Sequence, residues 1–324
     1  KLISNHKKDK NLSNYHYDIS LNKKHAKHNL SEEEEKISNL KNLTGISAFR
    51  KLYGDLTSSF EFKFKVDGKT KLLNGSELRA LRLHKNKSTR RQAMKLFFSK
   101  YEENETIFTH IFNNMLKHVE TEKKLRKYPN PISIRNTRND INDKAIQSLH
   151  SVTTNSNHLV EDYYKLKSKL MKCTDLTLAD IYAPMPKFQK TYTYNEAKNI
   201  ILDSFNEFDP EIAQLTKTMF TENRIHATVQ KNKRGGAFCS ASTPDIKPYV
   251  MMNFLGKFSD VTTLAHELGH AIHDMLASKQ TIINYHPILP LAETASVFFE
   301  MVVTDYILKN EKNNAMIQAI LIDK

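Results

Sequence analysis

The 324-residue chain contains no tryptophan, only 8 glycines and 9 prolines, and just two cysteines. Glycine and proline interrupt helices and form tight turns, so their scarcity favours long helices joined by few turns. We therefore predict a mainly α fold. Cys173 and Cys239 are too few and too far apart in sequence to indicate a disulfide framework or a cysteine-based zinc site.

The chain also lacks a long uninterrupted apolar run and an opening segment typical of a secretion signal. Its longest apolar stretch near the end, Ala295 to Leu308, is interrupted by Glu300 and Asp305. Because these charges exclude a bilayer span, we expect no membrane partner. Free thiols suit a reducing compartment, and we expect the protein to be cytoplasmic.

Acidic residues are fewer than basic ones: the chain has 36 Asp and Glu and 49 Lys and Arg, which gives a net charge of +13. Clustered basic residues would indicate nucleic-acid binding, because they neutralise phosphates. Here the basic residues cluster only in residues 1–30, and elsewhere lysine alternates with Asn, Ile and Glu, as on solvated helix faces. We expect no nucleic-acid partner, with a basic nucleic-acid-binding helical protein as the alternative.

Local patterns divide the chain into helices and two small β regions. Aromatic residues alternate with polar ones before Asp67-Gly68, which predicts a β-hairpin near 60–73. Ser31 begins a helix with a capping box. Further helices are predicted over 76–84, 88–125, 144–172, 195–208, 210–223, 260–278 and 290–309, and strands over 236–242 and 249–254. Prolines at 184 and 186 predict a boundary between a helical lobe, 1–186, and a catalytic subdomain, 187–324.

The segment His266-Glu267-Leu268-Gly269-His270 carries the strongest chemical signal. On a helix the two histidines lie four residues and about 6 Å apart along the axis, so both can reach one zinc ion. Glu267 would lie beside the open coordination position and act as the catalytic base that activates a zinc-bound water. We therefore predict one Zn²⁺ per chain.

A third ligand must come from elsewhere. His273 lies on the same helix face but about 10.5 Å from His266 along the axis, too far to share one ion. We expect it to support a ligand or to pack in the core. Glu293 on the next helix is the better candidate, because a carboxylate facing the metal helix is costly to bury unpaired. Glu300, two turns further, could orient a ligating histidine.

A segment of small residues has a possible use in binding. Arg234-Gly235-Gly236-Ala237-Phe238 leads into the predicted strand at 236–242. Small side chains let a substrate backbone approach an edge strand and pair with it. A hairpin with a glycine pair and no ligand is an equally good interpretation of this pattern alone.

Three segments are the most distinctive in the chain: RGGAFC at 234–239, TLAHELGHAIH at 263–273, and LAETAS at 291–296 with Glu300 after it. Weaker ones lie at 28–36, 43–45 and 181–184. Through these segments nearly the whole chain resembles the oligoendopeptidase F family of zinc metallopeptidases, relatives of thimet oligopeptidase.

The resemblance implies a helical zincin-type metallopeptidase with a small β-sheet next to the active-site helix, which cleaves short unstructured oligopeptides. It supports Glu267 as base, His266, His270 and Glu293 as zinc ligands, and Gly235, Gly236, Ala237 and Phe238 as substrate-binding residues.

Members of that family are nearly twice as long, so we expect this chain to be a fragment that lacks N- and C-terminal regions. Their C-terminal helices carry a His and a Tyr that help to stabilise the tetrahedral oxyanion. The resemblance therefore leaves an alternative open, namely a zinc-binding but catalytically weak fragment. The sequence does not specify an oligomeric state.

Overall fold

The computed structural model describes residues 10–184 and 190–323, and helices dominate it. In the N-terminal part the helices are α1 (His16–His25), α2 (Glu32–Thr44), α3 (Ile46–Ser58), α4 (Gly75–Ala80), α5 (Lys87–Glu102), α6 (Glu105–Leu125), α7 (Pro131–Arg138), α8 (Asp143–Asn155) and α9 (Asn157–Met171). In the C-terminal part they are α10 (Tyr194–Phe208), α11 (Pro210–Thr221), α12 (Phe258–Ala277), α13 (Ile282–Tyr285), α14 (Leu289–Asn310) and α15 (Asn314–Asp323). The mainly α fold class is thereby confirmed.

A β-hairpin interrupts the N-terminal helices where the alternating aromatic pattern predicts one. Strand β1 (Glu61–Val66) pairs antiparallel with β2 (Lys69–Asn74). The turn residues Asp67 and Gly68 both have positive φ, 48° and 83°, the conformation that an Asp-Gly turn adopts readily. The inward side chains of Phe62 and Phe64 are buried against α5 and form a separate small core.

Two long helices that the sequence predicts are in fact broken. The helix predicted over 88–125 ends at Glu102 and restarts at Glu105. At the break Asn104 leaves helical geometry, and its side-chain amide donates to the carbonyl of Lys100 at 2.9 Å. The rings of Tyr101 and Phe108 stack across the break with centroids 4.8 Å apart. No glycine or proline marks this position, so the sequence gives no warning of it.

The helix predicted over 144–172 is likewise divided at Ser156, where the backbone turns to φ −96° and ψ 4°. The two predicted strands near the site are shorter than expected, since β4 covers Phe238–Ser240 and β5 covers Tyr249–Met251. The sequence analysis missed strand β3 (Ile225–His226) and helix α15.

The three-stranded sheet lies beside α12, the helix that carries His266, Glu267 and His270. Its order is β3-β5-β4, with β3 parallel and β4 antiparallel to the central strand β5. Leu264, Leu268 and Ile272 recur on one face of α12 and are at most 1% exposed, in one core with Val250 of β5 and Val303 of α14. The sheet and α14 thus hold α12 from both sides.

The sequence boundary predicted near 186 lies in residues 185–189, outside the described residues. Division of the chain into parts 1–186 and 187–324 therefore stays a prediction. Within residues 10–184 and 190–323, no helix combines the length and the apolarity that crossing a bilayer requires.

Candidate active site

The start of α12 is set by an acidic residue in its first turn. The carboxylate of Asp260 accepts hydrogen bonds from the backbone N–H groups of Lys257 at 2.8 Å and Leu255 at 2.9 Å. A carboxylate at a helix N-terminus satisfies free donors and favours the positive end of the helix dipole. The hydrogen bonds favour the charged form of Asp260 and lower its pKa, but burial has the larger effect, so the pKa is raised.

Gly269 determines how closely the next long helix approaches the metal motif. A Cβ at this position would lie 2.7 Å from the Cα of Ser296 and 3.0 Å from the carbonyl oxygen of Ala295, both on α14. Real Cβ atoms do not tolerate such distances to backbone, so only glycine permits this contact. The close packing brings the side chains of Glu293 and Glu300 to the histidines of α12.

The structure brings together three of the predicted residues as one group of possible metal ligands. Ligand atoms of His266, His270 and Glu293 all lie within 4.8 Å of one another. Oε2 of Glu293 is 3.3 Å from Nε2 of His266 and 3.7 Å from Nε2 of His270. Two atoms that each lie about 2.0–2.1 Å from a tetrahedral zinc are about 3.3 Å apart. The spacing and the two-imidazole, one-carboxylate donor set therefore fit zinc.

Two residues on α14 orient these donors. Oε2 of Glu300 lies 3.2 Å from Nδ1 of His266, where it can accept a hydrogen bond from Nδ1–H and so favour the tautomer whose Nε2 carries a free lone pair. The hydroxyl of Ser296, which is fully buried, lies 3.1 Å from Oε2 of Glu293 and donates toward it. Glu300 thus occupies the supporting position that its helical spacing predicts.

The surroundings of Glu267, His270 and His266 shift the pKa values of these three groups in different directions. Burial raises the pKa of Glu267, which is only 6% exposed, and so brings this carboxyl closer to the pH range in which a general base works best. Burial lowers the pKa of His270 and favours the neutral, ligating imidazole. The hydrogen bond to Glu300 raises the pKa of His266, so a metal at Nε2 would compete with a proton there.

His273 lies outside the group of possible ligands. Its Nδ1 is buried and has no hydrogen-bond partner in the described part of the chain. The neighbouring Asp274 has its pKa raised by burial, an effect that His273 and His286 oppose. His273 therefore stays outside the group of His266, His270 and Glu293, and a supporting role for it remains a prediction.

The glycine loop, residues 232–236, leads into β4, the edge strand nearest α12. Asn232 and Gly236 have positive φ, 62° and 84°, and Asn tolerates this conformation better than most residues. Gly236 and Ala237 line the same cleft as His266 and Glu267. Phe238 opens β4 with an exposed side chain, beneath the guanidinium of Arg234.

Lys233 fastens the glycine loop to the sheet. Its ammonium donates to three backbone carbonyls: those of His226 at 3.0 Å, Thr228 at 2.8 Å and Met252 at 2.6 Å. Burial lowers its pKa. Asn253 adds hydrogen bonds to the carbonyls of Arg234 and Gly236 at 3.0 and 3.2 Å. The sequence analysis missed both residues, although Lys233 directly precedes the Arg234-Gly235-Gly236 signal.

We expect Lys233→Met to loosen the glycine loop, because three carbonyls lose a charged donor. Such hydrogen bonds are worth about 1–3 kcal/mol in total at a partly buried site. Hydrogen exchange measured by mass spectrometry should show faster exchange over residues 226–240, with zinc content unchanged. Lys231→Met is the matched control, since the Lys231 ammonium is exposed and pairs with Glu61 on the surface. Equal exchange in the two variants would show that Lys233 does not hold the loop.

Residues from the N-terminal hairpin region complete the opposite wall of the cleft. Ser76, Arg79 and Arg82 line it together with Gly236 and His266. These contacts join residues more than 150 positions apart, and no periodicity in the sequence indicates them.

Comparison with known proteins identifies the family of the chain. The sequence profile of peptidase family M3 matches residues 80–324, and that of oligopeptidase F matches residues 2–62. An oligoendopeptidase F homolog of Borreliella burgdorferi is 28% identical over 301 residues, which cover 91% of this chain and 50% of the relative. The group B oligopeptidase PepB of Streptococcus agalactiae is 24% identical over 314 residues, covering 94% and 50%. The chain thus spans about half the length of the curated relatives that it matches.

Solved structures show the same fold at low identity. Oligoendopeptidase F from Enterococcus faecium superposes with a TM-score of 0.61 and 19% identity over 97% of this chain and 50% of that one. PZ peptidase A, solved with an inhibitor, gives a TM-score of 0.71 and 20% identity over 84% and 49%. At this identity the likeness concerns the fold alone. The resemblance to oligoendopeptidase F found in the sequence is confirmed, and because the M3 profile spans well over half of its residues, the chain belongs to peptidase family M3.

Proposed function

We propose that this chain carries the catalytic centre of a zinc-dependent endopeptidase that hydrolyses short unstructured oligopeptides. The proposal rests on the position of Glu267. This buried carboxyl lies in the same cleft as His266, and His266 forms one group of possible metal ligands with His270 and Glu293. Membership of peptidase family M3 and the names of the relatives support the same chemistry.

His266, His270 and Glu293 would hold one Zn²⁺, each through a single donor atom. Bound there, zinc would supply Lewis acidity to the attacking water and to the carbonyl of the scissile peptide bond. Glu300 keeps Nε2 of His266 available by accepting a hydrogen bond from Nδ1–H, which holds the proton on Nδ1. Ser296 holds the Glu293 carboxylate toward the histidines.

Glu267 is the proton carrier. Its carboxylate accepts a proton from the attacking water and then gives it to the nitrogen of the leaving amine. The raised pKa of this buried carboxyl favours both transfers near neutral pH, because the group is neither a very weak base nor a very weak acid there.

The substrate backbone would lie along β4. This strand pairs with β5 on one side, so within the described residues its other edge is open for an extended peptide. Gly236 and Ala237 line the cleft and have no bulky side chains to prevent a close approach, whereas the space beside Gly235 is occupied by the guanidinium of Arg79. Because strand addition requires an extended chain, folded proteins should be poor substrates.

We also propose a cytoplasmic location. Cys173 and Cys239 are both free thiols, which persist most readily in a reducing compartment.

Metal analysis tests the ligand set. The purified chain should bind about one zinc per molecule, and His270→Ala or Glu293→Ala should abolish that stoichiometry. His273→Ala is the control and should retain zinc, because His273 lies outside the group. Zinc retained in both ligand variants would show that the site lies elsewhere. Zinc lost from His270→Ala and His273→Ala but retained in Glu293→Ala would make His273 the third ligand instead of Glu293.

A peptide assay tests the reaction. The zinc-loaded chain should cleave an internally quenched oligopeptide, and a chelator should stop the cleavage. Zinc bound at full stoichiometry without hydrolysis would favour the alternative of a metal-binding chain with weak catalysis.

A further inference from the structure

We propose that Arg79 and Arg82 form a subsite that binds a carboxylate of the peptide substrate. The inference rests on the proposed peptidase function and specifies which peptides the cleft prefers. The carboxylate is either the C-terminal group of the peptide or an acidic side chain. Both arginines line the cleft that also contains His266, Glu267 and Gly236.

The guanidinium of Arg79 is held in place by neutral groups. Its Nε donates to the carbonyl of Gly75 at 3.2 Å, and its Cζ lies 5.8 Å from the centroid of the Phe97 ring. Its Nη2 lies against the glycine loop, only 2.4 Å from where a Cβ on Gly235 would stand. Gly235 therefore leaves space that the guanidinium occupies, on the wall of the cleft that Arg79 lines.

Arg82 is fixed in a similar way, three residues along the chain. Its Cζ lies 4.0 Å from the centroid of the Tyr182 ring, a cation–π contact. In residues 10–184 and 190–323, neither Arg79 nor Arg82 pairs with a carboxylate. By contrast, Arg90 pairs with Asp180 and Arg126 pairs with Glu122.

Charge on the two sides of the cleft is opposite in sign. Glu267 and Glu300 lie on the metal side, and Arg79 and Arg82 lie on the hairpin side, with Lys257 also lining the cleft. Among the described residues these two guanidinium groups have no carboxylate partner, and they present forked donors that match a carboxylate. The acidic side would repel the same group, so an anionic end of a bound peptide is directed toward the arginines.

Peptide binding measured on the Glu267→Gln background tests the subsite without turnover. The probes are a fluorescein-labelled polyalanine peptide with a free C-terminus, its C-terminal amide, and an amidated version with one internal glutamate. At low salt the free acid or the glutamate peptide should bind about tenfold more tightly than the neutral amide, as one charge-assisted hydrogen-bonded contact provides. Which of the two carries the preference identifies the source of the carboxylate.

The double change Arg79→Gln and Arg82→Gln should remove the preference and leave binding of the neutral amide unchanged. Arg50→Gln, at an exposed arginine of α3, is the matched control and should keep the preference. Raising the salt concentration should reduce it in the parent. Equal binding of all three peptides to the parent, or an unchanged preference in the double variant, would overturn the subsite.

The outcome for the peptidase itself is separate. If the protein with Glu267 intact hydrolyses peptides but shows no carboxylate preference in binding, the proposed function stands and the subsite is wrong. A carboxylate preference that disappears with the arginines, in a protein that hydrolyses nothing, would support the subsite and contradict the peptidase.

Discussion

Glu267→Gln should retain a full complement of zinc and lose peptide turnover by about 10²–10⁴-fold, the usual contribution of a general base. The change removes the ability of one carboxylate to accept a proton while it keeps the size and the position of the side chain. Because Glu267 is not in the group of possible ligands, metal content should not fall. The measurement pairs zinc analysis with kcat for an internally quenched oligopeptide.

The buried position of Glu267 makes this loss large. The side chain is 6% exposed, and its charge lies close to those of His266 and Glu293. Few waters can reach so enclosed a carboxylate to substitute for it as proton acceptor. An amide at the same place can still hydrogen-bond the attacking water but cannot take its proton, so positioning is retained and proton transfer is lost.

Glu293→Ala serves as the contrast, since it should lose zinc and turnover together. The roles of base and ligand would be exchanged if Glu267→Gln lost the metal and Glu293→Ala kept it. A Glu267→Gln variant with full turnover would show that another group accepts the proton.

Sequence patterns with short periods could be interpreted correctly from the chain alone. The hairpin at 61–74 follows from alternating phenylalanines and an Asp-Gly turn, and α12 follows from an apolar face with a four-residue repeat. His266 and His270 have the same four-residue spacing on the opposite face of α12, and their ring centroids lie 5.0 Å apart because a helix brings residues four apart close together. Local geometry of this kind needs no knowledge of distant contacts.

Features that depend on long-range packing were not visible in the sequence. The break at Asn104 involves a side chain that caps the preceding helix and two stacked rings, without any glycine or proline. Arg79 lies 156 positions before Gly235 in the sequence. It reaches the glycine loop only when the hairpin region packs against that loop. Glu293, the proposed third ligand, is an intermediate case, because helical spacing relates it to Glu300 but could not show that α14 comes close enough to α12.

That approach depends on Gly269, and replacing it gives the second large effect. Gly269→Ala should destabilise the protein by about 1–3 kcal/mol, because the new methyl group would overlap the backbone of α14 at Ser296. Helix propensity alone predicts the reverse, since alanine favours a helix over glycine by about 1 kcal/mol. The overlap must be relieved by moving α14 away, which carries Glu293 and Glu300 from the histidines. Zinc affinity should therefore fall by at least about tenfold.

Gly54 provides a matched control within the same chain. It lies inside α3, and a Cβ there would meet no atom within 4 Å. Gly54→Ala should therefore stabilise the protein by up to about 1 kcal/mol and leave zinc affinity unchanged. Urea unfolding and zinc titration of the two variants side by side give the comparison. A Gly269→Ala variant as stable as Gly54→Ala, with equally tight zinc binding, would contradict this prediction. The two helices could then separate without moving Glu293, so the close contact between α12 and α14 would not be what positions it.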